Sequence, residues 1–283
     1  MPDRPDNHAA HTAHAATGWQ ASLRLGFARD GHTTRLVRRS HSGPLRVQKA
    51  LYPEGPGVCH AIVVHPPGGV AGGDLLSIDV HAADGAHTLL TSPGAAKWYR
   101  ANGRPARQEV RLAAGPGAAI EWLPQETILY DGAESTLEHE VELAAGASYI
   151  GSEILCFGRA ASGERYARGE LRQRTRIRRE GRLVWWEQGR LAAGPAMDSP
   201  LGLGGRRVCA TLIGVGRPAP ASLLAALRAC DPGLGVSQVK SVCVVRYLGD
   251  DSEAARHALA RAWGLLRPHL LGLDARAPRI WNT

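Results

Sequence analysis

The strongest constraint in this chain is an internal echo. "DVHAADGAHTLL" starts at Asp79, "EVRLAAGPGAAI" at Glu109 and "EVELAAGASYI" at Glu140, with starts 30 and 31 residues apart. Each copy is an acid, a valine, a variable residue, a small or apolar residue, a glycine turn and a second apolar strand. A strand pair of that size cannot bury its apolar face alone. A fixed period therefore predicts stacked hairpin units that share one continuous core. "RIRREGRLVWWEQ" reads as a degenerate fourth unit with its turn at Glu180-Gly181. The fold class expected is mainly β, with stacked, repetitive, β-helix-like sheets and two C-terminal α-helices.

The remaining segments fit that body. From Gly18 to about Gly216 the chain alternates in short runs separated by glycine turns. "CHAIVVHP" reads as a buried strand, and "DLLSIDV" alternates like one. "LRQRTRIR" puts Arg172, Arg174, Arg176 and Arg178 on one strand face. A two-residue turn at Glu180-Gly181 would pair Arg178 with Leu183, Arg176 with Trp185 and Arg174 with Glu187. From residue 217 the character changes. Pro220 to about Cys230 reads as a helix stopped by Asp231-Pro232-Gly233. "DDSEAARHALARAWGLLRPHLLG" reads as a longer one, capped by Asp251 or Ser252, with Ala255, Leu259, Ala262, Trp263 and Leu266 as its apolar stripe. Pro268 should end or kink it. "SVCVVRYLG" is one strand between them. Residues 18–283 are therefore expected to form one domain, in which 217–283 cap the β body of 18–216. Residues 1–17 are polar and Ala/His-rich and read as disordered. His8, His11 and His14 share a helical spacing that could catch a divalent metal, though an incidental segment is the simpler reading.

Composition closes some doors. No run is long and apolar enough for a membrane span, and the first residues lack the apolar segment of a signal peptide. The five cysteines are scattered, with no C-x-x-C pair. That suggests a reducing cytoplasm and no zinc cage. The net charge of +8 is nearly all arginine, which permits an acidic protein partner or nucleic acid.

Motif chemistry is mostly negative. "HPPGGVAGGD" (65–74) invites a phosphate-loop reading, but no lysine follows Gly73 and a strand, not a helix, comes next. There is no G-x-S-x-G elbow and no H-E-x-x-H. Glu138, Glu140 and Glu142 share a strand face while His139 points the other way, as in a solvated strand. Gly68, Gly69, Gly72 and Gly73 read as two tight structural turns. Pro66 and Pro67 stiffen the exit from the strand that ends at His65, and Asp74 is the corner's one charged group.

Six phrases in order carry a resemblance: "GPLRVQKALYPEG", "HPPGGVAGGD", "TSPGAAKWYR", "EWLPQETILYDGA", "CFGRAASGERY" and the terminal "RIWNT". From about Gly18 to Thr283 the chain resembles the urease accessory protein D family, UreD or UreH. The departures are mild, Ser92 and Trp98 among them. The resemblance implies a urease maturation factor and not an enzyme. It implies binding to urease apoprotein and to a UreF-like accessory protein, and through that to a UreG-like GTPase. It also implies an internal polar tunnel that passes nickel, with no tightly bound cofactor. Similarity to tunnel positions points to Asp74, Glu153 and Glu187 as transient nickel ligands. His65 is a further ligand by its chemistry, or else a hydrogen-bonded core histidine. Two other readings remain. One is an Arg-rich β adaptor for an acidic protein. The other is a single-stranded nucleic-acid binder using Trp185 and Trp186, which would weaken steeply with salt. The family reading excludes nucleic acid and membrane.

Overall fold

The computed structural model describes residues 18–282; the 1–17 segment with His8, His11 and His14 lies outside the described residues. The chain runs β1 (Gln20–Asp30), β2 (Thr33–Ser42), β3 (Arg46–Leu51), β4 (Val58–Val64), β5 (Leu75–Ala82), β6 (His87–Thr91), β7 (Ala96–Trp98), β8 (Ala106–Ala114), β9 (Ala119–Leu123) and β10 (Thr127–Leu129). It continues β11 (Glu134–Leu143), β12 (Ser148–Phe157), β13 (Glu170–Arg179), β14 (Arg182–Ala192), α1 (Pro195–Asp198), β15 (Val208–Val215), α2 (Ala221–Ala229), β16 (Leu234–Val239), β17 (Val242–Gly249) and α3 (Ser252–Leu271).

The echo is structural, but its units are coils rather than hairpins. Each coil lays one strand in a seven-stranded sheet, turns a corner, and lays the next strand in a ten-stranded sheet. Thus β5, β8 and β11 stack in parallel in the first sheet, and β6, β9 and β12 do so in the second. The short β7 and β10 stack as a third side. The corners superpose at Gly85, Gly117 and Gly146, all left-handed with φ of 63°, 64° and 70°. The Gly85 N–H donates to Pro116 O and the Gly117 N–H to Ala145 O, both at 2.9 Å. This sets the true register. Asp79 pairs with Arg111 and Arg111 with Glu140, two residues away from the alignment the acids suggest in the middle copy. "EVRLAAGPG" turns at its second glycine, which accounts for the offset.

Alternation decides which side chains enter the core. Leu76, Ile78, Val80 and Ala82 of β5 and Val110 and Leu112 of β8 face inward and are buried between the sheets. Burying each large aliphatic side chain contributes roughly 1.5–3 kcal/mol. On the outer side of the second sheet, α2 and α3 cover a second apolar cluster that includes Ile150, Leu212, Val245, Trp263 and Leu266.

β13 is the last parallel rung of the first sheet. The chain then reverses at Glu180 and Gly181, both with positive φ (50° and 74°), as a two-residue turn requires. Arg178 pairs with Leu183 as the turn predicts. A β-bulge between Ile177 and Arg178 then shifts the rest by one residue. Arg176 faces Trp186 and Thr175 faces Glu187, so the expected pairs Arg176 with Trp185 and Arg174 with Glu187 do not form. A bulge adds a residue to one strand only, which turn chemistry cannot foresee.

The C-terminal region holds two strands, not one. β16, missed in "LGVSQV", pairs with β17, and β17 extends the second sheet through β15. α3 is capped by Asp251, whose carboxylate accepts from the Glu253 and Ala254 amides. It runs through Pro268 to Leu271 and closes on Gly272, whose N–H donates to Pro268 O. Proline removes one helical bond there, and the final turn is held by Leu270 and Leu271 packed on the second cluster.

Candidate functional site

A cavity of about 330 Å³ lies between the two sheets. Its rim includes the exposed Gly68, Gly94, Ala96 and Lys97 on the third side of the coil. The stretch "HPPGGVAGGD" builds much of that rim. Val70 bridges to Trp98, accepting from the Tyr99 amide and donating to Lys97 O. Gly72 is required there, because a Cβ would meet Ala101 O at 2.0 Å. Gly73 is required for its φ of 91°. A Cβ at Gly69 would strike Lys97 O and the Tyr99 ring, whereas Gly68 has ordinary room.

Inside, the inward faces of four strands carry polar residues at mid-strand, with apolar residues beyond them. β13 reads Leu171, Gln173, Thr175, Ile177. β12 reads Tyr149, Gly151, Glu153, Leu155. β11 contributes His139 and β15 Thr211, and Gln173, Thr175, His139, Tyr149, Glu153 and Thr211 all line the cavity. His139 Nε2 lies 2.7 Å from the Tyr149 hydroxyl. Burial pushes the His139 imidazole down to about 4, so it is neutral at physiological pH. Burial, then the nearby Glu153 charge, pushes the Tyr149 phenol up. Gly151 makes the room for that phenol, since a Cβ would lie 1.8 Å from its oxygen.

Glu153 lines the cavity and is half-buried. Burial first, then the Glu187 carboxylate, pushes its carboxyl up to about 7, against the Gln173 hydrogen bond and the Arg246 charge. It is therefore a carboxyl that exchanges its proton near neutrality. Glu187 of β14 lies beyond the cavity lining and pairs with Arg246 of β17 at 2.7 Å. That ion pair bridges the two sheets and is partly exposed, at 43% for Arg246 and 26% for Glu187. Cys209 lies near the same cluster, with its thiol pushed up by burial and by the Glu153 charge.

The sequence-predicted residues therefore separate. His65 and Glu153 line the cavity, and Glu187 acts on Glu153 from outside it. Asp74 ties the corner: Oδ1 accepts from the Trp19 amide at 2.7 Å and Oδ2 from the Ala71 amide at 2.8 Å. Among the described residues no group of three or more His, Cys, Asp and Glu side chains is arranged to hold a metal ion. His139, Tyr149 and Gln173 are the site residues that sequence reasoning missed. The signal was present, as polar side chains on the face opposite the arginines and glutamates.

The arginine face has partners. Arg174 pairs with Glu138 at 2.8 Å, Arg178 with Glu142 at 3.1 Å and Arg172 with Glu170 at 2.6 Å, and Arg176 bonds to Glu140. Arg176 also stacks over Trp186, 5.8 Å from the ring centre. The acids of β11 are thus counter-ions to the adjacent β13 rather than a free solvated face.

A second buried polar cluster staples α3 to the β body. Arg267 and Glu121 are both fully buried and bond at 3.0 and 3.1 Å. Arg267 also holds Glu54 at 2.9 Å, His60 meets Glu54 at 2.6 Å, and His87 meets Glu121 at 2.8 Å. The His60 and Arg267 hydrogen bonds outweigh burial and bring the Glu54 carboxyl down to about 2. No helix among the described residues is long and apolar enough to cross a membrane.

Residues 20–282 match a family described as UreD urease accessory protein. The chain is 56% identical to the urease accessory protein UreD of Janthinobacterium sp. (strain Marseille), across 93% of this chain and 92% of that protein. It is 52% identical to the UreD of Azoarcus sp. (strain BH72), across 98% of each. It is 49% identical to a UreD of Pseudomonas fluorescens (strain Pf-5), across 98% of this chain and all of that one. With a family match over nearly its whole length, this chain belongs to the UreD urease accessory proteins.

Proposed function

We propose that this protein is a non-catalytic scaffold of urease maturation in the cytoplasm, and that its cavity is a path for nickel as cargo. In this reading it binds urease apoprotein and a UreF-like accessory protein, which docks a UreG-like GTPase. The observation that carries the reading is Glu153: a half-buried carboxyl lining an open cavity between the sheets, with a pKa near 7. A cation that must pass has to bind well enough to enter and loosely enough to leave. A carboxyl poised near neutrality gives up its proton as nickel arrives and regains it as nickel departs. The neutral His139 beside Tyr149 adds a borderline nitrogen donor without a trapping thiolate cage. Glu187 is the next oxygen donor, held by Arg246, which nickel would displace as it reaches the surface between the sheets. Asp74 supports the path by holding the rim and not as a ligand.

The adaptor and nucleic-acid readings lose their support once the arginine stripe has carboxylate partners. Urease apoprotein, the UreF-like and UreG-like partners, nickel and GTP, combined with this chain, test the proposal. Wild type should co-purify with the apoprotein and restore activity with nickel. Glu153→Gln should co-purify equally but restore at least about tenfold less activity. Full activation by Glu153→Gln would remove that carboxyl from the path.

A further inference from the structure

We propose that the cavity has a second opening, through the ten-stranded sheet beside Glu153, and that the C-terminal segment is its gate, with Trp281 as the plug. The opening starts as a gap in the sheet. β12 pairs with β9 as far as Gly151 and with β10 from Leu155 onward. Residues 152–154 therefore have no strand partner on that side. The chain opposite, Pro124 to Glu126, turns away from β12. The Gln125 amide donates to Ser92 Oγ at 2.9 Å, and Glu126 O accepts from the Ala96 amide at 2.7 Å. Glu153 lies in the middle of the gap with its side chain on the cavity face. Alternation turns Ser152 the other way, to the face that α3 covers. Behind the gap is a second void of about 30 Å³, and Pro124, Gln125 and Ser152 line both it and the main cavity. A space of that size has room for roughly one or two waters. Its far wall is Arg256, Leu259 and Trp263 of α3, together with Trp281. Arg256 Nε is buried there and makes no hydrogen bond, with Glu126 3.8 Å away.

Trp281 lines the void and is itself partly exposed, so it stands between the void and solvent. Its indole Nε1 donates to Thr91 Oγ1 at 2.7 Å, and Thr91 lines the main cavity. Its ring centre is 5.8 Å from that of Trp263, and its carbonyl accepts from Arg256 at 2.8 Å. The chain between α3 and Trp281 runs largely exposed, through Leu273, Asp274, Arg276, Ala277 and Arg279, with Pro278 buried. A segment with few buried apolar contacts opens at low free energy. It can therefore lift while α3 stays docked by Leu259, Trp263 and Leu266, which are buried in the second cluster. Lifting removes one wall of the void and joins the cavity to solvent across the second sheet, whereas the rim lies on the third side of the coil. A gap this narrow and polar suits water and a small cation. The gate is a property of the fold; its use as an exit for nickel rests on the proposed function.

Thiol labelling of the full chain tests it without nickel or urease. Ser152→Cys puts a thiol in the void behind Trp281, and its reaction with methyl methanethiosulfonate is followed by intact mass. With Trp281 present the thiol should react slowly. Adding Trp281→Ala should speed it at least about tenfold, because local opening no longer breaks the anchor. The buried Cys59 and Cys243 report any wider unfolding and should stay unreacted. If Trp281→Ala exposes them, Trp281→Phe carries the test. It keeps a ring against Trp263, loses the Thr91 hydrogen bond and should speed labelling at position 152 about threefold or more. Fast labelling with Trp281 in place, or no acceleration in either Trp281 variant, overturns the gate. Full urease activation by Glu153→Gln, which would sink the conduit, leaves the labelling result untouched.

Discussion

Replacing Glu153 with glutamine should stabilise the protein while, under the proposed function, impairing nickel delivery. The native carboxyl titrates at about 7, against 4.5 for an ordinary glutamate. A carboxyl raised on folding is neutral in the native state at low pH. The unfolded chain starts to lose that proton near pH 4.5, the native one only near 7. Stability therefore falls as pH rises through this window, and the loss is complete above it. Two and a half units correspond to about 3 kcal/mol. Glutamine carries no charge and can still accept from the Gln173 amide. Glu153→Gln should thus gain about 2–3 kcal/mol at pH 8 and almost nothing at pH 4.5. Urea denaturation at the two pH values reads the difference directly, as a midpoint shift at constant slope. An equal effect at both pH values, or a loss at pH 8, would mean that the Glu153 charge carries no burial cost in the native state.

Arg267→Ala leaves Glu121 and Glu54 buried without their counter-ion and should cost about 3–5 kcal/mol in denaturant titrations. Glu54 is depressed to about 2, so its contribution is present above about pH 4.5 and fades as pH falls toward 2; the Arg267→Ala deficit should shrink over the same window. Asp74→Ala strips the acceptors from the Trp19 and Ala71 amides and should cost about 1–3 kcal/mol, while nickel delivered per folded molecule stays normal. Gly72→Ala drives a Cβ into Ala101 O and should cost about 1–3 kcal/mol of stability, read as a lower denaturation midpoint beside Gly68→Ala, which should be nearly silent.

Much of the architecture was legible because a coil must solve one packing problem repeatedly. The corner glycines, the alternating strands and the cap of α3 each have a local cause, and the echo with its second apolar strand followed from them. The coil-against-hairpin choice was not local, since either arrangement buries the same alternating face. The Ile177 bulge and β16 escaped for a similar reason: each depends on what the neighbouring strand offers. At the site, "HPPGGVAGGD" announced a rigid corner, and the corner is a cavity rim. Its charged residue turned out to be committed to backbone amides. Gln173 and Thr175 were hidden by the arginines between them, which drew attention to the outer face while the inner face lined the cavity with polar side chains. The Arg267 cluster joins positions more than 140 residues apart, and no local pattern marks it.

Under the proposed function, nickel passes between the sheets. The most direct measurement is nickel per urease active site after maturation with a plugged variant, Thr175→Phe, which fills the cavity without removing a donor carboxylate. The expected result is a folded protein that still co-purifies with urease apoprotein and loads at least about tenfold less nickel. Normal nickel content with the cavity filled would contradict it.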